Sequence, residues 1–394
     1  MAPLTERDAW LILASTDRVG GETVAALLAD FGTARQVLAA ASYGRLGAWS
    51  ARRARQTGLP QLSGRVLAAL KAWPEAGPSR LRQLTELGLW AVTPLDADYP
   101  AGLRDLDPPP PFLVGMGERR LLSSGRPVAV VGTRRPTANG RWLTARICAR
   151  LAECRALVVS GGAVGIDGAA HAATLDHGGQ TLAVIGGGHL HPGPRAHAAL
   201  RQRIVDKGGA IISEYTPQIS PSKGTYPRRN RIIAALARQV IVVEAPARSG
   251  ALITARDALE LGRPVFVAPG RVGDWSTAGS LALLRDSPAQ ILAGVDELTE
   301  DLGFLGAPPG AEDADAPPAG QPGAGRRAAA LGLLDGAQRT VAEQICRAPA
   351  GLDSLVEQTG LAPAVVSGSV TLLLIRGWLQ PIGPAYLPAG PLLE

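Results

Sequence analysis

Between residues 127 and 267 the chain repeats one pattern: a short unbroken apolar run, a polar or glycine-bearing turn, then a longer mixed stretch. The runs are Val128-Ala129-Val130-Val131, Leu157-Val158-Val159, Leu182-Ala183-Val184-Ile185, Ala210-Ile211-Ile212, Val240-Ile241-Val242-Val243 and Val265-Phe266-Val267. They are mostly β-branched and lack polar alternation, which is how strands read when both of their faces are covered. Helical stretches fall between them near residues 138–153, 167–177, 195–207, 228–238 and 250–261. Six strands alternating with five helices predict an α/β fold built on a parallel, doubly wound sheet.

The flanks follow other patterns. Residues 1–75 predict helices at 9–14, 22–30, 33–40 and 62–72, separated by glycines. The segment from Arg18-Val19-Gly20-Gly21 to Phe31-Gly32 fits a helix-hairpin-helix, whose glycine turn offers backbone N–H groups to a DNA phosphate. It fits equally a small bundle whose glycines only cap helices. Residues 76–125 predict a connector with two short strands, 90–94 and 112–115, around the prolines at 108–111, a run that needs no partner to be extended. Residues 303–330, rich in Pro, Gly and Ala with an acidic cluster at Glu312, Asp313 and Asp315, have the composition of a flexible linker. Beyond it, three helices (335–347, 352–359, 363–376) and a small wing (378–387) outline a winged helix over residues 331–394. Its three basic against five acidic residues fit a protein-contact module better than a DNA reader. The sheet domain is thereby bounded at 126–302.

Length and charge narrow the possibilities. With 394 residues there is room for two or three domains and a sizeable core. The formal net charge of +6 points to a polyanionic partner. Residues 126–300 carry 21 basic and 13 acidic side chains, so the excess sits in the sheet domain. Because 37 of the 40 basic residues are Arg, arginine abundance alone does not mark a phosphate site. Cys148, Cys154 and Cys346 show neither metal-ligand spacing nor an even count, which fits a reducing, cytoplasmic setting. No leader pattern and no run of eighteen apolar residues occurs, so no membrane span is expected.

In an open parallel sheet, ligands bind beyond the carboxyl ends of the strands, where glycines let the backbone approach and helix N-termini offer N–H groups. The unusual residues cluster there: Gly132-Thr133-Arg134-Arg135, then Ser160-Gly161-Gly162-Ala163-Val164-Gly165-Ile166-Asp167, Gly186-Gly187-Gly188, and Glu244-Ala245-Pro246-Ala247-Arg248-Ser249-Gly250. Ahead of the fifth strand stands Thr225-Tyr226-Pro227-Arg228-Arg229-Asn230-Arg231, guanidinium forks gathered at the start of a helix. Gly161 to Gly165 looks like a dinucleotide fingerprint, but the next strand ends in three glycines where a ribose-binding acid would stand, which disfavours a nicotinamide enzyme. A phosphodiester gripped by Arg134, Arg228 and Arg231, with hydroxyls from Thr133, Ser160 and Ser249, fits better. All five histidines fall between His171 and His197 without accompanying carboxylate spacing, so no metal is expected. Glu244 is the one acid expected to face the pocket, either as a general base or as a clamp on Arg228 or Arg231.

Together these motifs resemble the DNA-processing protein A (DprA/Smf) family. The resemblance rests on Val131-Gly132-Thr133-Arg134, the Ser160 to Asp167 segment with Ala170-His171, Ser213-Glu214-Tyr215, Tyr226 to Ile233, Glu244-Ala245, Ser249 to Ala255, and Pro269-Gly270. It implies an extended Rossmann-like domain between a SAM-like or helix-hairpin-helix domain and a winged helix. It also implies a homodimer that binds single-stranded DNA without catalysis or cofactor, protects it, and loads the RecA recombinase during natural transformation. The family's pocket positions fall on Arg134, Ser160, Gly161, Gly162, Arg228, Asn230 and Arg231, and the expected interface adds Thr133, Tyr226, Arg229, Ser249 and Gly250. Tyr226 replaces a frequent Phe and keeps a ring for base stacking. His191-Pro192-Gly193-Pro194-Arg195 and Gly279-Ser280-Leu281 depart from the family's Tyr-Pro with Asn and Gly-Thr-Asn. The alternative is a nucleotide-binding or nucleoside-phosphate-hydrolysing enzyme on a similar fold, with Glu244 as its base.

Overall fold

A computed structural model describes residues 4–295 and, beyond them, 298, 331, 334–347, 350–376, 378–382, 385–388 and 392. The linker expected at 303–330 lies outside the described residues. The chain divides into two units, residues 1–311 and 312–394.

The first unit opens with six helices: α1 (Glu6–Ala14), α2 (Gly21–Phe31), α3 (Ala34–Ser42), α4 (Leu46–Thr57), α5 (Gly64–Lys71) and α6 (Trp73–Glu86). Ile12, Leu13, Leu27, Leu38 and Leu70 are fully buried among them. The sheet follows: β1 (Trp90–Val92), β2 (Leu113–Gly117), β3 (Pro127–Val131), α7 (Ala138–Glu153), β4 (Leu157–Ser160), α8 (Ile166–Asp176), β5 (Thr181–Val184) and α9 (Ala198–Asp206). After these come β6 (Ala210–Ser213), α10 (Thr225–Leu236), β7 (Gln239–Val242), α11 (Gly250–Glu260), β8 (Val265–Val267), α12 (Ala278–Asp286) and β9 (Gln290–Ile291).

Among the described residues the strands form one nine-stranded sheet in the order β1-β2-β6-β5-β4-β3-β7-β8-β9. All six predicted strands are present and pair in parallel. Residue parity explains their unbroken apolar runs. Along β3, Ala129 and Val131 enter one core with Ile232 and Ala235 of α10 and Ala255 and Ala258 of α11. Val128 and Val130 enter the other, with Ile147 and Leu151 of α7 and Ile166 and Ala170 of α8. Each fully buried Val or Ile contributes about 1.5–3 kcal/mol, and a polar residue on either face would forfeit it.

Two features differ from the sequence-based expectation, and a third adds to it. The two short strands of the supposed connector join the sheet, β2 running antiparallel to both β1 and β6, so the sheet is mixed rather than wholly parallel. The helical part continues through residue 75 along α6, where the Trp73 indole donates to Leu38 O at 2.9 Å and Gly77 lies against Ile12. The prolines at 108–111 serve as acceptors: the Tyr99 hydroxyl donates to Pro110 O (2.8 Å), the Trp10 indole to Pro111 O (2.6 Å) and Arg231 to Pro108 O (2.8 Å).

In the second unit α13 (Gly336–Arg347), α14 (Leu352–Thr359) and α15 (Pro363–Ile375) precede an antiparallel hairpin, β10 (Leu379–Ile382) with β11 (Ala385–Pro388). Val341, Ile345, Leu355, Val366, Val370, Leu373 and Leu379 form its core. Among the described residues no single helix is long and apolar enough to cross a membrane.

Candidate nucleic-acid interface

The strand order reverses between β3 and β7: β4, β5 and β6 succeed β3 on one side, β7 and β8 lie on the other. Loops that follow strands on the two sides of such a point diverge and leave a crevice. Here the crevice is a cleft of about 570 Å³. The turn after β3 supplies Gly132, Thr133, Arg134 and Arg135, and the loop entering α11 supplies Arg248, Ser249 and Gly250. The third wall is the first turn of α10 with Lys223 just before it.

Helix phase decides which side chains of that turn reach the cleft. Tyr226, Arg229, Asn230 and Ile233, at i, i+3, i+4 and i+7, line it. Arg228 and Arg231, three apart, fall on another face of the helix. The Arg231 guanidinium meets Glu214 at 2.6 Å and donates to Pro108 O, and Arg228 is exposed toward a separate cavity. The expected convergence of Arg134, Arg228 and Arg231 is therefore corrected: Arg134 alone of the three stands in this cleft. Arg134 is exposed, its guanidinium carbon 5.1 Å from the centre of the Tyr226 ring, an arrangement that leaves its N–H groups free to turn toward a ligand.

Arg229 is also corrected. It is buried, and its Nη1 donates to the carbonyls of Gly161 and Val184, beside the buried carboxylate of Asp167. Its guanidinium thus braces the ends of β4 and β5 instead of offering an open fork. Gly161 has no side chain because the Arg229 guanidinium occupies that space: a Cβ there would stand 2.1 Å from Nη1 and 2.4 Å from Asp167 Oδ2. Burial holds the Asp167 carboxyl above its usual range, while the positive charge of Arg229 opposes that rise.

The hydroxyls divide in the same way. Ser160 is fully buried and donates to Val130 O at 2.6 Å, so it is no ligand donor as drawn from sequence. Thr133 and Ser249 each accept a backbone N–H, from Arg135 (3.2 Å) and Ala251 (3.3 Å), which leaves their own hydrogens able to point into the cleft. Asn230 donates to Gly250 O at 3.1 Å and ties α10 to the α11 loop. Gly161 and Gly162 line a small pocket beside the cleft, over the ends of β4 and β5, with Arg134 and Tyr226 as the partition. Gly186 at its floor admits the Tyr226 ring, 2.9 Å from where a Cβ would be.

Glu244 does not clamp Arg228 or Arg231. It is buried, its Oε2 accepts the Thr137 N–H at 2.9 Å, and its backbone oxygen accepts that of Thr133 at 2.7 Å, so it shapes the β3 turn. The histidines disperse. His171 donates to the Thr181 hydroxyl, which itself donates to Val158 O, and burial lowers the imidazole pKa to about 3. His189 bonds Val114 O and His197 bonds Gly162 O. Leu281 follows Ser280, whose buried hydroxyl accepts the Ala245 N–H at 3.1 Å, so that segment supports the α11 loop from below.

Sequence reasoning missed Trp275, which lines the cleft and is 65% exposed. The signal available was a lone Trp in a loop of Gly, Asp, Ser and Thr without strand or helix period. Arg135, Lys223 and Arg248, all exposed, complete a cationic rim, and among the described residues lining the cleft Asp167 is the one acid. Neutralised by Arg229, it leaves the cleft positive, lined by the half-buried Tyr226 ring and the exposed Trp275 ring. Such a surface takes anions that carry planar rings.

Residues 90–303 match the sequence profile of the family described as DNA recombination-mediator protein A. The chain belongs to that family. It is 39% identical over 310 residues to the putative DNA processing protein DprA of Mycobacterium tuberculosis, across 75% of this chain and 76% of that one. It is 37% identical over 225 residues to the DNA processing protein DprA of Bacillus subtilis, across 57% and 75%. Among solved structures it is similar to DNA processing protein A of Streptococcus pneumoniae, with a TM-score of 0.52 and 32% identity over 67% of this chain and 95% of that one. DNA processing protein A of Helicobacter pylori, solved for its single-stranded DNA binding mode, gives a TM-score of 0.50 and 30% identity over 55% and 96%. The family resemblance is thereby shown, and its motifs after β3, at the start of α10 and at the start of α11 contribute walls of the cleft.

Proposed function

We propose that the chain binds single-stranded DNA in the cleft at the β3/β7 reversal, holding it without altering its bonds, and passes it to a RecA-type recombinase during transformation. The observation that carries this reading is the cleft's pairing of exposed cations (Arg134, Arg135, Lys223, Arg248) with the half-buried ring of Tyr226 and the exposed ring of Trp275. Cations track a phosphate backbone and rings stack on unpaired bases, a combination that a duplex with its bases stacked inside would not use. Family membership and the Helicobacter pylori relative's single-strand binding support it. Against a hydrolytic role stand the engagements of the two acids: Glu244 holds the Thr137 N–H and Asp167 is buried beside Arg229.

In the same proposal the protein acts in the cytoplasm as a homodimer, the helical N-terminus is SAM-like, and residues 331–394 form a winged helix that contacts protein. The division at 303–330 belongs to it as well, while the sheet domain begins not at 126 but with β1 at Trp90, and the helical part extends to residue 86 by α6. The test is fluorescence anisotropy with single- and double-stranded oligonucleotides over a salt series. Arg134→Ala should weaken single-strand binding by about tenfold or more and reduce the salt slope by about 0.7. Equal affinity for duplex and single strand, or an unchanged slope, would overturn the assignment.

A further inference from the structure

A second cavity, of about 620 Å³, lies between the first turn of α10 and the N-terminal helices. Its volume is that of a small-molecule site, roughly 300–1,000 Å³. Its walls are largely apolar, with Leu81 and Leu84 from α6 facing Phe112 and Ile219. Two exposed arginines line it, Arg18 on the turn into α2 and Arg228 on α10. Of its acids, Glu214 is held by Arg231, and Asp17 is exposed, 3.7 Å from Arg18. The α2 N-terminus that borders it begins at Gly20 and Gly21 with no side-chain cap, so backbone N–H groups remain on offer there.

The segment joining β6 to α10 is a wall common to both cavities. Its residues 217–219 line the second, Pro221 the small pocket over Gly161, and Lys223 the first cleft, where Tyr226 of α10 joins it. Arg228 follows Tyr226 by two residues, so one helical turn presents a ring to one side and a guanidinium to the other. We infer that the second cavity receives a further nucleotide of the same strand, its base against the apolar wall and its flanking phosphates at Arg228 and Arg18. This rests on the proposed strand in the first cleft. It makes the helical N-terminus part of the DNA path, and it gives Arg228, absent from the first cleft, a ligand.

The experiment is a length series of oligothymidylates, about 4 to 16 nucleotides, the usual span of single-strand sites, titrated against the full chain. Arg18 has a left-handed backbone (φ 61°), so Arg18→Asn removes the guanidinium while keeping a residue that tolerates that conformation. Arg18→Asn should leave the shortest oligonucleotides unaffected and weaken the longest by about tenfold, lowering their salt slope by about 0.7. Arg134→Ala should weaken every length. Equal binding by wild type and Arg18→Asn at all lengths, or equal weakening at all lengths, overturns the second site while leaving the first cleft standing. Absence of wild-type binding at any length defeats the proposed function and this inference together.

Discussion

Replacing Arg229 by Met separates two roles that the sequence assigns alike to the arginines of the α10 turn. Methionine fills most of the space but removes a buried guanidinium that donates to Gly161 O and Val184 O and neutralises Asp167. Each carbonyl left without a donor costs about 1–3 kcal/mol. Stranding the partner of a buried charge costs about 3–5 kcal/mol, and because these losses share groups the expected total is about 3–5 kcal/mol rather than their sum. Urea unfolding followed by tryptophan fluorescence reads it, since six of the seven tryptophans, all but Trp378, lie in residues 1–311. At a slope near 2–3 kcal/mol per molar urea the midpoint should fall by about 1–2 M. The double variant Arg229→Met/Asp167→Asn should recover part of that loss, because the buried acid no longer lacks a counter-charge. Arg229→Lys should remain impaired, as one ammonium cannot reproduce the planar fork. A wild-type midpoint combined with a binding defect as deep as that of Arg134→Ala would refute the bracing role and return Arg229 to the ligand.

Trp275→Ala should weaken single-strand affinity by about five- to a hundredfold, the worth of about 1–3 kcal/mol for one stacked base, with an unchanged melting temperature because the ring is largely exposed; unchanged affinity in anisotropy titrations would remove it from the DNA path. Asp257 on α11 has its carboxyl pushed up to about 6, first by burial and then by the like charge of Glu260. A raised carboxyl contributes stability that is complete below the unfolded value near 4 and lost as the pH rises through 6, so at pH 7 its ionisation works against the fold. Asp257→Asn should therefore stabilise the protein near neutrality by about 1 kcal/mol, reduced by solvent screening at a half-exposed site, and by nothing at about pH 4. Thermal melts at both pH values check this, and an equal gain at each would rule out ionisation as the cause.

The sheet was legible because burial on both faces leaves short, β-branched apolar runs, from Val128 to Val267, that recur with glycine turns and helical stretches between them. The strand-end turns were legible for the same reason, since each must follow its run. Strands β1 and β2 were seen but not their partners: nothing in Trp90 to Val92 or in the glycine-containing β2 encodes which edge they join. Helix α4 escaped because its arginines leave only Leu46, Trp49 and Ser50 buried, and α6 because Pro74 and Pro78 read as breaks, though Pro74 sits where a helix start tolerates it. Within the site, the motif around residues 225–231 was found and its members were not sorted. Adjacent residues on a helix diverge by about 100°, so Arg228 and Arg229 part company at once, and the pairing of Arg231 with Glu214 bridges elements whose contact only the fold creates.

The antiparallel pair β1 and β2 has a bearing on how this molecule can be dissected. It sheathes the β6 edge, where Ile211 and Ile212 would otherwise stand beside a row of vacant amides and carbonyls. A fragment begun at residue 126 would strip that sheath and present a sticky, self-templating margin, whereas one begun just ahead of Trp90 retains it. The natural seam for excising the helices thus lies upstream of this hairpin, not at the first strand of the parallel run.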